Sequence, residues 1–143
     1  MKAKEYLMQV GKIDRMINNK IQEVRQWMDI ATSATVSANG ERVQSSGSHQ
    51  KMADAVGRYV DIQKEINADI DMLVDTKQKV IKTIEQLPEA EYDLLHMVYI
   101  QGFELNAAAD MKNKTYTWAT TTHGRALSHL QKIIDTEGDR TSK

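Results

Sequence analysis

The sequence predicts an all-α protein, and three observations carry that prediction. A single proline and seven glycines stand in a 143-residue chain rich in Lys, Glu, Gln, Ile and Ala. Apolar residues recur at three- and four-residue steps through most of its length. Nowhere do apolar and polar residues alternate long enough for a strand. Charge is nearly balanced, 19 basic against 20 acidic residues, so the whole molecule has no polyanion-binding signature. The chain has no cysteine, which excludes disulfides and thiolate metal sites and fits a reducing cytoplasm. No stretch approaches the roughly 18 apolar residues of a membrane span, and the N-terminus has no apolar signal core, so no membrane partner is expected.

The first element is a helix from Lys2 to about Ala31. Tyr6, Val10, Ile13, Ile17, Val24 and Met28 mark its apolar stripe, widened by Met16, Ile21, Trp27 and Ala31. Lys12, Asp14, Asn18, Gln22 and Arg25 occupy the opposite face. Residues 32–50 are rich in Ser, Thr, Gly and Asn and lack periodicity, which predicts a flexible loop. Within it Glu41, Arg42, Val43 and Gln44 form either a docking segment or part of a solvated linker.

A second long helix is expected from about Lys51 to Leu87. Met52, Val56, Tyr59 or Val60, Gln63, Ile66, Ile70, Leu73, Lys77, Val80 and Ile84 keep near-heptad spacing, with Ile62, Val74 and Ile81 broadening the face. Gln63 and Lys77 interrupt that seam. Two amphipathic helices of roughly 45 and 50 Å joined by a flexible loop fold back antiparallel, because each must bury its stripe. Residues 1–86 are therefore expected to form a long N-terminal helical hairpin, coiled-coil-like, that serves oligomerisation. A pair of helices covers only part of a broad stripe. A homo-oligomer, a homodimer first of all, is expected; the alternative is a monomer whose C-terminal helices cover the exposed edge.

Residues 87–134 read as three helices separated by two breaks. Pro88 opens the first, with Glu89, Glu91 and Asp93 placed where the helix dipole favours carboxylates. Leu94, Leu95, Val98 and Tyr99 form its stripe, and Gly102 stops it. A short helix from Glu104 to Met111 follows, with Leu105, Ala108, Ala109 and Met111 as its apolar or small positions. Lys112, Asn113 and Lys114 offer a turn, and Thr115 is suited to cap the third helix. Two helices joined by a turn of a few residues, the second with a polar N-terminal half, make a helix-turn-helix pattern. The polar residues 135–143 are expected to fray.

These residues carry a family resemblance. The run LPEAEYDLL, then Tyr99 and Gly102, the small-residue helix Ala107-Ala108-Ala109 and HGRAL (His123 to Leu127) resemble region four of bacterial sigma factors. The chain is similar above all to the sigma-like phage regulators of the ArpU and RinA kind, which ERVQSSGS and KMADAVGRYVD after it also match. The resemblance implies a phage-encoded, sequence-specific DNA-binding transcriptional regulator of late genes such as packaging or lysis functions. It implies double-stranded DNA as partner, RNA polymerase as a further one, and the cytoplasm of a bacterial host as location. The sigma-type recognition helix carries a basic residue where this chain has Thr120, Thr121 and Thr122, a departure that bears against polymerase contact and strong DNA affinity.

On the residues themselves, the third helix is the one to meet DNA. Ala119, Ala126, Leu127, Leu130, Ile133 and Ile134 face inward on its period, leaving Tyr116, Thr117, Trp118, Thr120, Thr121 and Arg125 outward. Lys112, Lys114 and Thr115 of the turn complete the candidate DNA-binding set. Trp118 and Tyr116 either meet DNA or pack on the second helix. Gly124 either admits a close neighbour or is merely tolerated. The four histidines lack metal-ligand spacing, no Gly-rich phosphate loop follows a strand, and no serine has a partnering base. No enzyme, metal, cofactor or small-molecule substrate is expected. Two other functions compete: a DNA-packaging adaptor resembling small terminase subunits, assembled as a ring, and a helical interaction module that docks a basic partner on Glu89, Glu91 and Asp93.

Overall fold

The computed structural model describes residues 1–40 and 46–141, with side chains described for 1–33 and 49–139. All regular structure among the described residues is helical, with no strand among them. In order they form α1 (Ala3–Gly40), α2 (Ser46–Ile84), α3 (Glu89–Leu95) running on into a π-helical turn (His96–Ile100), α4 (Leu105–Met111) and α5 (Tyr116–Thr141).

The 38-residue α1 outruns its expected end at Ala31, while the 39-residue α2 begins five residues before the expected Lys51 and stops at Ile84, three short of Leu87. The flexible loop expected over 32–50 is helical up to Gly40 and again from Ser46. Glu41, Arg42, Val43 and Gln44 lie outside the described residues. The Thr32 hydroxyl donates to the Met28 carbonyl at 2.9 Å. That internal acceptor lets a residue with modest helix propensity continue a helix already running. The tail expected to fray from residue 135 likewise continues α5 to Thr141.

The chain forms two compact units, residues 13–72 and residues 1–12 with 73–143. In the first, α1 contributes Ile13, Ile17, Val24 and Ala31 and α2 contributes Ala55 and Ile62 as buried apolar residues. Lys20 donates to Asp69 at 2.6 Å and has Glu65 within 3.7 Å. The hydrogen bond to Asp69 raises the Lys20 pKa above its ordinary value. The buried seam of α2 is therefore Ala55, Ile62 and Asp69, one residue before the expected Val56, Gln63 and Ile70, all three exposed. Small Ala55 permits close approach, and Asp69 can answer Lys20, which Ile70 cannot. Met28, Met16 and Ile21, expected on the α1 stripe, are exposed as well.

In the second unit Ala3, Tyr6, Leu7 and Val10 of α1 share a core with Val80, Ile84, Leu87, Leu95, Ala126 and Leu130. Leu87 is itself buried in it, so packing is continuous across the expected 86/87 boundary. Tyr6 Oη lies 2.8 Å from Thr83 Oγ1, whose hydroxyl reaches the Lys79 carbonyl at 2.9 Å. Burial raises the Tyr6 phenol pKa. Ala3 N–H donates to Gln131 Oε1 at 2.8 Å, tying α1 to α5.

A smaller cluster of Leu94, Met97 and Ala108 joins α3, the π turn and α4, with Val98, Leu105 and Trp118 against it. Pro88 takes the capping position of α3, and its carbonyl accepts from Tyr92 N–H at 2.9 Å. The π turn is closed by Gln101 N–H on the His96 carbonyl, 2.9 Å, a five-residue step. Gly102, at φ 84°, then stops the helix as its sequence position predicts.

Candidate nucleic-acid interface

The α4–α5 corner is built by backbone chemistry that its sequence can supply. Lys112 caps α4, and Asn113 adopts φ 57°, a left-handed conformation open to asparagine among non-glycine residues. Lys114 N–H donates to the Ala109 carbonyl at 2.9 Å and Asn113 N–H to Asp110 at 3.0 Å. This is a Schellman closure with asparagine in the usual glycine place. One residue on, Thr115 Oγ1 accepts from Trp118 N–H at 3.1 Å and caps α5. The buried methyls of Ala108 and Ala109 let α5 pack on α4, while α3 packs on α5 from another direction.

On α5 the buried positions are Ala119, Thr122, Ala126 and Leu130, at steps of three, four and four. Leu127, Ile133 and Ile134 are half-buried beside them, as their spacing predicts. Thr117, Thr120, Thr121 and Arg125 share the opposite, exposed face. Thr120 Oγ1 donates to the Thr117 carbonyl at 3.0 Å, which leaves its methyl and a lone pair outward. Tyr116 stands at 59 % exposure at the rim of that face. Gly124 and Ser128, absent from the expected set, lie on it too; the 3.6-residue period from Thr117 through Thr121 would have found both.

Three of the expected contact residues, Lys112, Trp118 and Thr115, are engaged within the chain. Lys112 turns back to Asp93, with Nζ 2.7 Å from Oδ2, and its charge is answered within the chain. Trp118 is half-buried against the Leu94–Met97–Ala108 cluster, so packing is its role in the free protein. Lys114 lies over the Trp118 ring, Nζ 6.0 Å from the centroid, but remains exposed at the corner. Thr115 spends its hydroxyl oxygen on the cap. Of the three consecutive threonines, Thr122 is only 6 % exposed and belongs to the core.

Two polar pairs hold α5 in place. His129 Nδ1 lies 2.8 Å from Glu91 Oε2 and 3.0 Å from Oε1, and Glu91 is 6 % exposed. His123 Nε2 shares a 2.7 Å hydrogen bond with Tyr99 Oη, the rings stacked at a 5.8 Å centroid distance. Burial lowers the His123 pKa, with Lys4 adding to the effect, and burial raises that of Tyr99. A Cβ built on Gly124 would meet nothing within 4 Å, so no neighbour in this chain requires glycine there.

An open cleft of about 440 Å³ lies on the α3 side, bordered by Asp93, His96, Met97 and Lys112. Its charged and imidazole groups have partners already: Asp93 pairs with Lys112, and His96 Nδ1 with Gln101 Nε2 at 2.8 Å. Among the described residues no group of three His, Asp or Glu is placed to hold a metal, and no helix is long and apolar enough to cross a membrane. No protein-family model matches the chain, and neither a curated protein nor a solved structure matches it.

Proposed function

We propose that the chain is a sequence-specific DNA-binding transcriptional regulator in which α4 and α5 act as a helix-turn-helix. The observation that carries this reading is the division of α5. One face is locked into the core through Ala119, Thr122, Ala126 and Leu130, and the N-terminal half of the other presents Thr117, Thr120, Thr121 and Arg125 bare. A rigidly backed helix with short polar side chains and one arginine fits a major groove, where threonine methyls meet thymine and arginine meets guanine or phosphate. The capped corner supports it further, since Lys114 and the first α5 N–H groups stand where a phosphate would pass. With the resemblance to sigma region four, the reading extends to regulation of phage late genes, with RNA polymerase as a second partner.

In this proposal α1 and α2 form an antiparallel hairpin that joins two copies, each with one reading head. Lys112 is engaged by Asp93, so Lys114, Arg125 and Lys132 are the cations left for phosphate near the head. Few phosphate contacts make a single head weak, with a log–log salt slope of about −2 to −3. Two heads are then needed for a stable complex. The interaction-module alternative loses ground for a specific reason. Two of its three docking carboxylates, Glu91 and Asp93, are already paired with His129 and Lys112.

Fluorescence anisotropy with duplexes tiled across the gene's own neighbourhood, at low salt, tests the reading. Arg125→Ala should weaken binding roughly tenfold and Thr120→Ala by less, both with unchanged helicity, in line with about 1–3 kcal/mol for a good base contact. Wild-type protein that ignores every duplex, or variants that bind as it does, would remove the face from consideration.

A further inference from the structure

The seam that periodicity selects on α2 is not the one α2 buries. Ala55, Tyr59, Ile62, Ile66 and Asp69 step by four, three, four and three and run along the buried or half-buried side. Val56, Val60, Gln63, Asn67 and Ile70 repeat those steps one residue later, and all five are exposed. Val56, Val60 and Ile70 are 37–43 % exposed, high for aliphatic side chains in unbroken helix. Two adjacent heptad seams on one helix are the pattern of a helix with two helical neighbours, and among the described residues of 13–72 α1 is the one that α2 has.

We infer that the outer seam docks a second copy of this chain, antiparallel, about a two-fold axis level with residue 65. The inference rests on the reading of α1 and α2 as an antiparallel pair that joins two copies. A two-fold interface requires that if residue i meets j, then j meets i. About residue 65 the outer seam is its own reflection: Val60 answers to Ile70 and Gln63 to Asn67. The sequence carries the reflection one step further, Val56 answering to Val74. Apolar meets apolar at the ends and amide meets amide in the middle. Each amide has donors and an acceptor, so the facing Gln63 and Asn67 satisfy one another when water is removed.

The amides also fix the register. A slip of one heptad either way sets Gln63 or Asn67 against valine or isoleucine and buries an amide without a partner. An unrelated partner helix would have no reason to find a reflected pattern.

The available area is of the right order. In an antiparallel pair the positions that follow the seam lie on one side of both helices, which brings Ile21 and Met28 of α1 beside the outer seam. Five exposed apolar side chains at roughly 60 Å² each give on the order of 300 Å² per copy, before the stems of the polar residues are added. A standard homodimer interface uses about 500 Å² of apolar surface per partner.

Light-scattering mass of the full chain without DNA is the test. Wild type should weigh twice the 16.2 kDa chain. Val60→Lys and Ile70→Lys should each weaken dimerisation at least tenfold at unchanged helicity, because both side chains are exposed in the free chain. The chain has no cysteine. A mixture of Gln63→Cys and Asn67→Cys chains should therefore oxidise to a cross-linked pair in preference to either variant alone. A wild-type dimer indifferent to both lysines, with no preferred cross-link, overturns the seam and leaves a dimer by another face. A monomer at every concentration overturns the seam and the two-copy reading together. A ring of many subunits overturns the closed two-fold pair.

Discussion

The two compact units bury amphipathic helix to very different depths. Residues 1–12 with 73–143 enclose Leu7, Val80, Ile84, Leu94, Leu95 and Leu130, each wholly or almost wholly out of solvent. Among the described side chains of residues 13–72 only Ile62 and Ala55 are enclosed to that degree, and Met16, Ile21, Met28, Val56, Val60 and Ile70 lie outside. The physical difference is the number of helices that can surround a stripe. Parts of α1, α2, α3 and α5 share one core in residues 1–12 with 73–143, while the described elements of residues 13–72 are α1 and α2 alone. A helix with one neighbour buries one seam. What a second neighbour would cover stays at the surface.

Core truncation should separate the two units most widely. Leu130→Ala, which empties space in a core closed on all sides, should cost about 3–4 kcal/mol in urea unfolding, and Ile62→Ala about 2, since a two-helix layer can relax inward. Equal costs would mean that residues 13–72 are as fully enclosed as the other unit, and would break the contrast.

Thr115→Ala removes the α5 cap and should cost about 1 kcal/mol, with hydrogen exchange quickening at Trp118 and its neighbours. A cost confined to the global unfolding limb, with no local change, would mean that the corner is held by packing and not by the cap. Gly124→Ala should stabilise by somewhat under about 1 kcal/mol, because the added methyl meets open space in a helix interior. If the bare α5 face seats against a groove wall, the same variant should lose DNA affinity while gaining stability. A change of both in one direction would locate the contact elsewhere.

The smallest expected effect is one of pH. The half-buried His123 has its pKa held below the ordinary 6.5, so as pH falls through that value the unfolded chain takes up the proton first. The stability of this unit is then full above about 6.5 and falls as pH drops through and below it. His123→Asn should flatten that part of the profile. An unchanged slope would assign the dependence to another group.

Several elements were legible because one physical signal dominated each of them. Heptad steps marked the inner stripe of α1 and the existence of α2, Gly102 marked a positive-φ stop, and Thr115 a cap. The threonine-rich face of α5 emerged at its expected positions. The illegible parts are those where two neighbouring choices differ by little or where the partner is remote in sequence. On α2 the inner and outer seams are both apolar and one residue apart, and only Lys20 on the other helix selects Asp69. Glu91 and His129 are 38 residues apart, and no local pattern links them. Thr122 looks like Thr120 and Thr121, yet its register between Ala119 and Ala126 on the packed face of α5 buries it. Helix over 32–40 was hidden by composition, since Ser and Thr read as loop unless a carbonyl one turn back takes up the hydroxyl.

The first turns of α1 are roofed by α5: Ala3 donates to Gln131, and Gln131 Nε2 returns a bond to the Met1 carbonyl at 3.1 Å. During synthesis this has a temporal meaning. Tyr6, Leu7 and Val10 leave the ribosome more than a hundred residues ahead of Ala126 and Leu130, which cover them. The α1 and α2 parts of residues 13–72 can pack together as soon as α2 emerges, while the core around Leu7 must wait for Ala126 and Leu130. In the proposed function, a nascent chain thus acquires its means of pairing before its means of recognition, and two neighbouring ribosomes on one message would join their products before either bound DNA.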